Sequence, residues 1–166
     1  MLIDYLWSYG GFGFATVVCA AACLWGGTTE RAAGATLWIA WALSMAVGAS
    51  GYKGPGNPVI LIDTVVLVVF VGLSLRSRHI WLLLATASQL DDVASHFAAR
   101  LMHFGRFSYL IATGIWGGLF ITLCLAAGTL GYRQRRRRQI AAAASQDPTP
   151  QARDIEPRSP SRRRDR

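Results

Sequence analysis

Asp92 and His96 stand four residues apart, with Ser88 and Gln89 one turn before them and Arg100 one turn after, inside an otherwise oily stretch. Residues at i and i+4 share one face of a helix. At about 100° per residue, with Asp92 as origin, Ser88 falls at about −40°, His96 at about +40°, Gln89 at about +60° and Ser95 at about −60°. Asp91 lands at about −100°, at the edge of that sector. Leu83, Leu90, Ala94, Phe97 and Leu101 cover the opposite side. The pattern predicts a helix with one polar stripe and one lipid-compatible stripe, as a helix lining the inside of a bundle requires.

A carboxylate and an imidazole on one face can satisfy each other, relay a proton or hold a cation. A second acid joins them by depth. At about 1.5 Å per residue, Asp63 lies about 7.5 Å below Pro58 at the start of its segment, and His96 about 6 Å below Arg100 at the end of its own. The short turn RSRH makes the two segments antiparallel neighbours, so Asp63, Gln89, Asp92, His96 and Arg100 form one candidate intramembrane polar cluster. An ionised carboxylate in hydrocarbon costs roughly 2.5–3.5 kcal/mol on insertion scales, so such groups persist when paired, protonated or facing water. A mutual clasp that fixes helix register is the first reading, and a proton or cation path opening outward is the second. Metal, haem and intramembrane catalysis come last. His79 and His103 fall at opposite ends of the chain's apolar segments, so no two histidines share a depth, and HExxH, a nucleophile elbow and a glycine-rich phosphate loop are all absent. The expectation is therefore no catalytic residue, no metal set, no cofactor and no enzyme.

The elements that must position these groups are apolar runs of about 20 residues, the length that crosses a bilayer. Five can be drawn, over residues 6–25, 32–49, 59–75, 80–101 and 107–130, separated by GGTTER, SGYKGPGNP, RSRH and HFGR and followed by RQRRRR. Glycine, proline and arginine gather where backbone or charge must meet water. The expected fold is an all-α, polytopic transmembrane helix bundle of five spans over residues 1–131. A four-span arrangement with 80–101 lying on the surface ranks second, because it exports Arg76, Arg78, Arg100 and Arg106 together. The first run has no basic residue before it, only Asp4, and is kept as a helix of the mature protein rather than a signal peptide.

Charge is segregated along the 166 residues. Up to Gly131 six basic residues face five acids, whereas from Tyr132 onward eleven arginines face four acids. The net charge of +8 thus belongs to a tail, which argues against nucleic acid as a partner. Residues 132–166, with proline, serine and alternating charge, are expected to form a basic disordered cytoplasmic tail. Its run Arg133, Arg135, Arg136, Arg137 and Arg138 sets topology and offers a surface to anionic lipid. Arginines beside a span stay in the cytoplasm, so five spans place the N-terminus outside.

Small residues recur at four-residue spacing: Gly11, Ala15, Cys19 and Cys23; Ala32, Thr36, Ala40, Ser44 and Gly48; Gly114, Gly118, Thr122 and Ala126. Such rows let backbones approach closely, either sealing the bundle or joining it into a homo- or hetero-oligomer. Three cysteines without a CxxC pair carry no redox or metal signal. Over residues 63–131, the order RSRH, a segment holding Gln89 and His96, then SYLIAT and Trp116-Gly117-Gly118 before the basic tail resembles small uncharacterised bacterial polytopic inner-membrane proteins. That resemblance implies a bacterial inner membrane and no particular activity. The expected role is a structural or accessory membrane subunit packing through its small-residue seams, with a small proton- or cation-conducting protein as the alternative.

Overall fold

The computed structural model describes residues 2–49, 57–102 and 112–146, and among these the chain is entirely helical. Helices α1 (Leu2–Trp25), α2 (Thr28–Ala49), α3 (Asn57–Ser77) and α4 (Ile80–Met102) are followed by a π-helical segment, Gly114–Phe120, that runs straight into α5 (Ile121–Gln146). Expectations that fall on residues 50–56, 103–111 and 147–166 lie outside the described residues. So do those on the side chains of Gly48 and Arg100.

By length and composition, two stretches are long and apolar enough to cross a membrane, Asn57–Ser77 and Gly114–Ser145, and Gly10–Trp25 is a shorter apolar helix. The polar stripe of α4 and the charges opening α2 set those helices apart. Large apolar side chains nevertheless face outward along much of the bundle, among them Leu24, Ile39, Leu61, Val68, Leu75, Leu83, Leu90 and Leu123. Exposed apolar side chains in this number suit a lipid surround.

Two compact units divide the chain, Met1–Arg133 and Gln134–Arg166. In the first, α1 packs on α2, α2 on α3, α3 on α4, and both α4 and α1 on the π-helical segment. Its core is made of Cys19, Ala22, Ala33, Leu37, Val66, Phe70, Leu82, Ile121 and Leu125. In the second, residues 134–145 are helical and exposed. Residues 132–146, expected to open the disordered tail, are helical, with α5 running unbroken through the arginine run and the alanine patch to Gln146. Arginine, glutamine and alanine are strong helix formers, and a helix already nucleated propagates through them.

The seams follow the expected spacing only in part. Ala15 and Cys19 are buried, but Cys23, expected in the same row, is exposed. A row at i+4 drifts about 40° per step, and three steps from Gly11 carry Cys23 about 120° off the face. Ala22 takes over, meeting Gly34 of α2 so closely that a Cβ on that glycine would lie 3.2 Å from the Ala22 methyl. In α2 the buried face is Ala33, Leu37 and Ala40, whereas Ala32 of the expected row is exposed. In the last row Gly118 and Thr122 are buried, Gly114 and Ala126 half-buried.

Turns fix the pairing. Glu30 reaches back so that the Gly27 N–H donates to its Oε2 at 3.1 Å, half of a capping box at the start of α2. Between α3 and α4 the link is Arg78-His79, with Arg78 at φ 52° and its N–H donating to the Ser74 carbonyl at 3.0 Å. That left-handed residue ends α3, and His79 accepts the first bonds of α4 from Leu82 and Leu83.

Candidate functional site

Ser88, Gln89, Asp92 and His96 of α4 are each 2–4% exposed, while Leu83, Leu90 and Phe97 on the opposite face are at least half-exposed. Asp91 is exposed, as is Ala94. Ser95 is half-buried and turns its hydroxyl back to donate to the Asp91 carbonyl at 2.8 Å.

Two elements close over the buried stripe. From α3, Asp63 brings its Oδ2 to 2.8 Å from His96 Nε2, an ion pair when the ring is protonated and a hydrogen bond when Nε2 carries its proton. The Asp63 backbone carbonyl accepts from Gln89 Nε2 at 3.2 Å, so one residue of α3 is held by two of α4, seven positions apart. From the π-helical segment, the Trp116 carbonyl accepts from Ser88 Oγ at 2.7 Å. A π-helix bonds i→i+5 and widens its turns, a geometry common at functional sites.

Asp92 lies between these contacts. Its carboxyl is pressed against Gly117 so closely that a Cβ there would overlap it, so only glycine fits. Its Oδ1 is buried without a hydrogen-bond partner. Buried polar atoms are nearly always satisfied, so an orphan oxygen in a polar cluster marks a place where something is to be bound or protonated. Asp63, Asp92 and His96 each offer a ligand atom, all within 4.8 Å of one another. The side chain of Asp63 is 18% exposed, the least enclosed of the three. No metal set was expected from the sequence, where a single histidine at this depth and distant acids gave no spacing motif. Tertiary packing of α3 on α4 brings the three groups together.

Other expected residues fall elsewhere. Gly11 approaches the Trp41 ring of α2, and Gly118 does so more tightly, a Cβ on it lying 3.2 Å from that ring. Thr122 donates to the Gly118 carbonyl at 2.7 Å. Arg133 places its guanidinium 4.8 Å over the Trp25 ring, and Arg135, Arg136, Arg137 and Arg138 are exposed. Sequence reasoning missed the Trp116 carbonyl and Gly117 as partners of α4. Their only signal was the run Trp116-Gly117-Gly118, in which Gly118 alone was read as packing. It also missed Glu30, taken for a loop charge but 2% exposed.

No protein-family model, no curated protein and no solved structure matches this chain.

Proposed function

We propose that the chain is an integral membrane protein of five spans, α1 to α4 and the π-helical segment with the apolar part of α5, in a bacterial inner membrane. Its N-terminus lies outside and its arginine run in the cytoplasm. Its role is that of a structural or accessory membrane subunit, not an enzyme, and the polar residues of α4 serve as a clasp. The observation that carries this reading is the closure of Ser88, Gln89, Asp92 and His96, each 2–4% exposed, against α3 and the π-helical segment. A stripe packed in this way holds helices in register, and its polar groups satisfy partners that hydrocarbon would leave bare. The seams seal the bundle from within, exposed leucines offer surfaces to a second copy or another membrane protein, and the exposed arginines suit anionic lipid.

A second reading is conduction of protons or cations, favoured by the orphan Asp92 Oδ1 and the partial exposure of Asp63. Flux in proteoliposomes decides between them. A clasp leaves wild type and Asp63→Asn alike at background. A pH-dependent flux in wild type that Asp63→Asn and His96→Ala both abolish establishes conduction instead.

A further inference from the structure

We propose that Asp63, Asp92 and His96 form a binding site for one divalent transition-metal cation of the zinc, manganese or cobalt class. The inference goes beyond the clasp and does not depend on span number or orientation.

Two independent observations converge. The three ligand atoms lie within 4.8 Å of one another. Metal bonds of about 2.0–2.2 Å to imidazole and carboxylate put neighbouring ligand atoms roughly 3–3.5 Å apart, so side-chain adjustments that change these separations by about 1–2 Å bring the atoms into a coordination shell. Separately, Asp92 is 4% exposed and its Oδ1 has no hydrogen-bond partner. A buried carboxylate oxygen that no donor occupies is open to a cation.

Charge balance points the same way. Two carboxylates and a neutral imidazole carry −2, and a divalent ion brings the site to zero, the state that a low-dielectric interior favours. The donor set selects the class, since one nitrogen with carboxylates suits zinc, manganese or cobalt, while calcium and magnesium favour all-oxygen shells. The ring must then present Nε2 as a lone pair and keep its proton on Nδ1, and the contact between Nε2 and Asp63 Oδ2, 2.8 Å without metal, opens to admit the ion. Three protein ligands leave coordination positions for water. Gly117 shapes the wall beside Asp92, and Gln89 holds the Asp63 backbone in place.

The test uses the full chain in detergent micelles, stripped with chelator and titrated with Co²⁺, a probe with a ligand-sensitive visible spectrum. Equilibrium dialysis should find about one tightly bound ion per chain. Asp63→Asn, Asp92→Asn and His96→Gln should each weaken binding by more than about a hundredfold, above the 10–100-fold that loss of an outer partner costs. Asp91→Asn and Cys23→Ser should bind as wild type does. X-ray absorption of the wild-type cobalt complex adds a readout that needs no variant, and it should show nitrogen and oxygen ligands with one imidazole. A sulfur ligand, no stoichiometric uptake, or binding indifferent to all three substitutions overturns the proposal.

Discussion

Asp91 and Asp92 are adjacent, chemically identical and differently placed. Asp91 is exposed, and Asp92 is buried against Gly117 beside Asp63 and His96. Asp91→Ala should therefore change stability by less than about 0.5 kcal/mol, as substitutions away from packed features do. His96→Ala strands Asp63 without its partner and should cost about 1–3 kcal/mol. Thermal unfolding in detergent checks both, and a larger loss at Asp91 would mean that α4 is rotated from its described setting. Gly117→Ala belongs with His96→Ala, because the added methyl would overlap the Asp92 carboxyl and force the π-helical segment from α4. The inward face of α4 was legible beforehand because a 3.6-residue period separates two neighbouring acids by about 100°. The partners of Ser88 and Asp92 were not. They are a backbone carbonyl and a glycine Cα, and neither has a side chain for a pattern to register.

At the scale of elements, the tight link between α3 and α4 sets which residues of the two helices meet. It does so at a cost, because Arg78 sits at φ 52°, where a Cβ crowds the following carbonyl by roughly 1–2 kcal/mol. Arg78→Gly should thus raise stability by about 1 kcal/mol in chemical or thermal denaturation, leaving the His96–Asp63 contact intact. An unchanged or lowered midpoint would mean that the exposed Arg78 side chain contributes more than its backbone costs. RSRH could be read as a short turn from its length and charge, although its left-handed residue could not, since nothing marks Arg78 as the exception that glycine usually fills. The extent of α5 was hidden for a different reason. An arginine run beside an apolar segment reads as an end, whereas the helix propensity of arginine, glutamine and alanine carries it on to Gln146.

For the molecule as a whole, the proposed topology is one that reporters can read. In the proposed arrangement, fusions after Arg138 should report cytoplasmic and fusions within residues 51–58 external, and a cytoplasmic signal from the latter would reverse the orientation. Close packing across the bundle includes the places where Gly118 meets Trp41, Gly34 meets Ala22 and Gly128 meets Trp81. Gly118→Leu should accordingly disturb assembly more than Leu119→Ala, whose native side chain is 44% exposed, and cross-linking with thermal stability measures the difference. The π-helical segment Gly114–Phe120 bears on what the gene can tolerate. Its widened turns accommodate more residues than an α-helix of the same length would, so a single-codon deletion there could relax the segment to α and spare α5. The same deletion would redraw the backbone of the segment itself and carry the Trp116 carbonyl away from Ser88. Reading-frame-preserving loss of one residue, harmless in many loops and ruinous in most helices, should here leave a helical protein whose buried carboxylate has lost its wall.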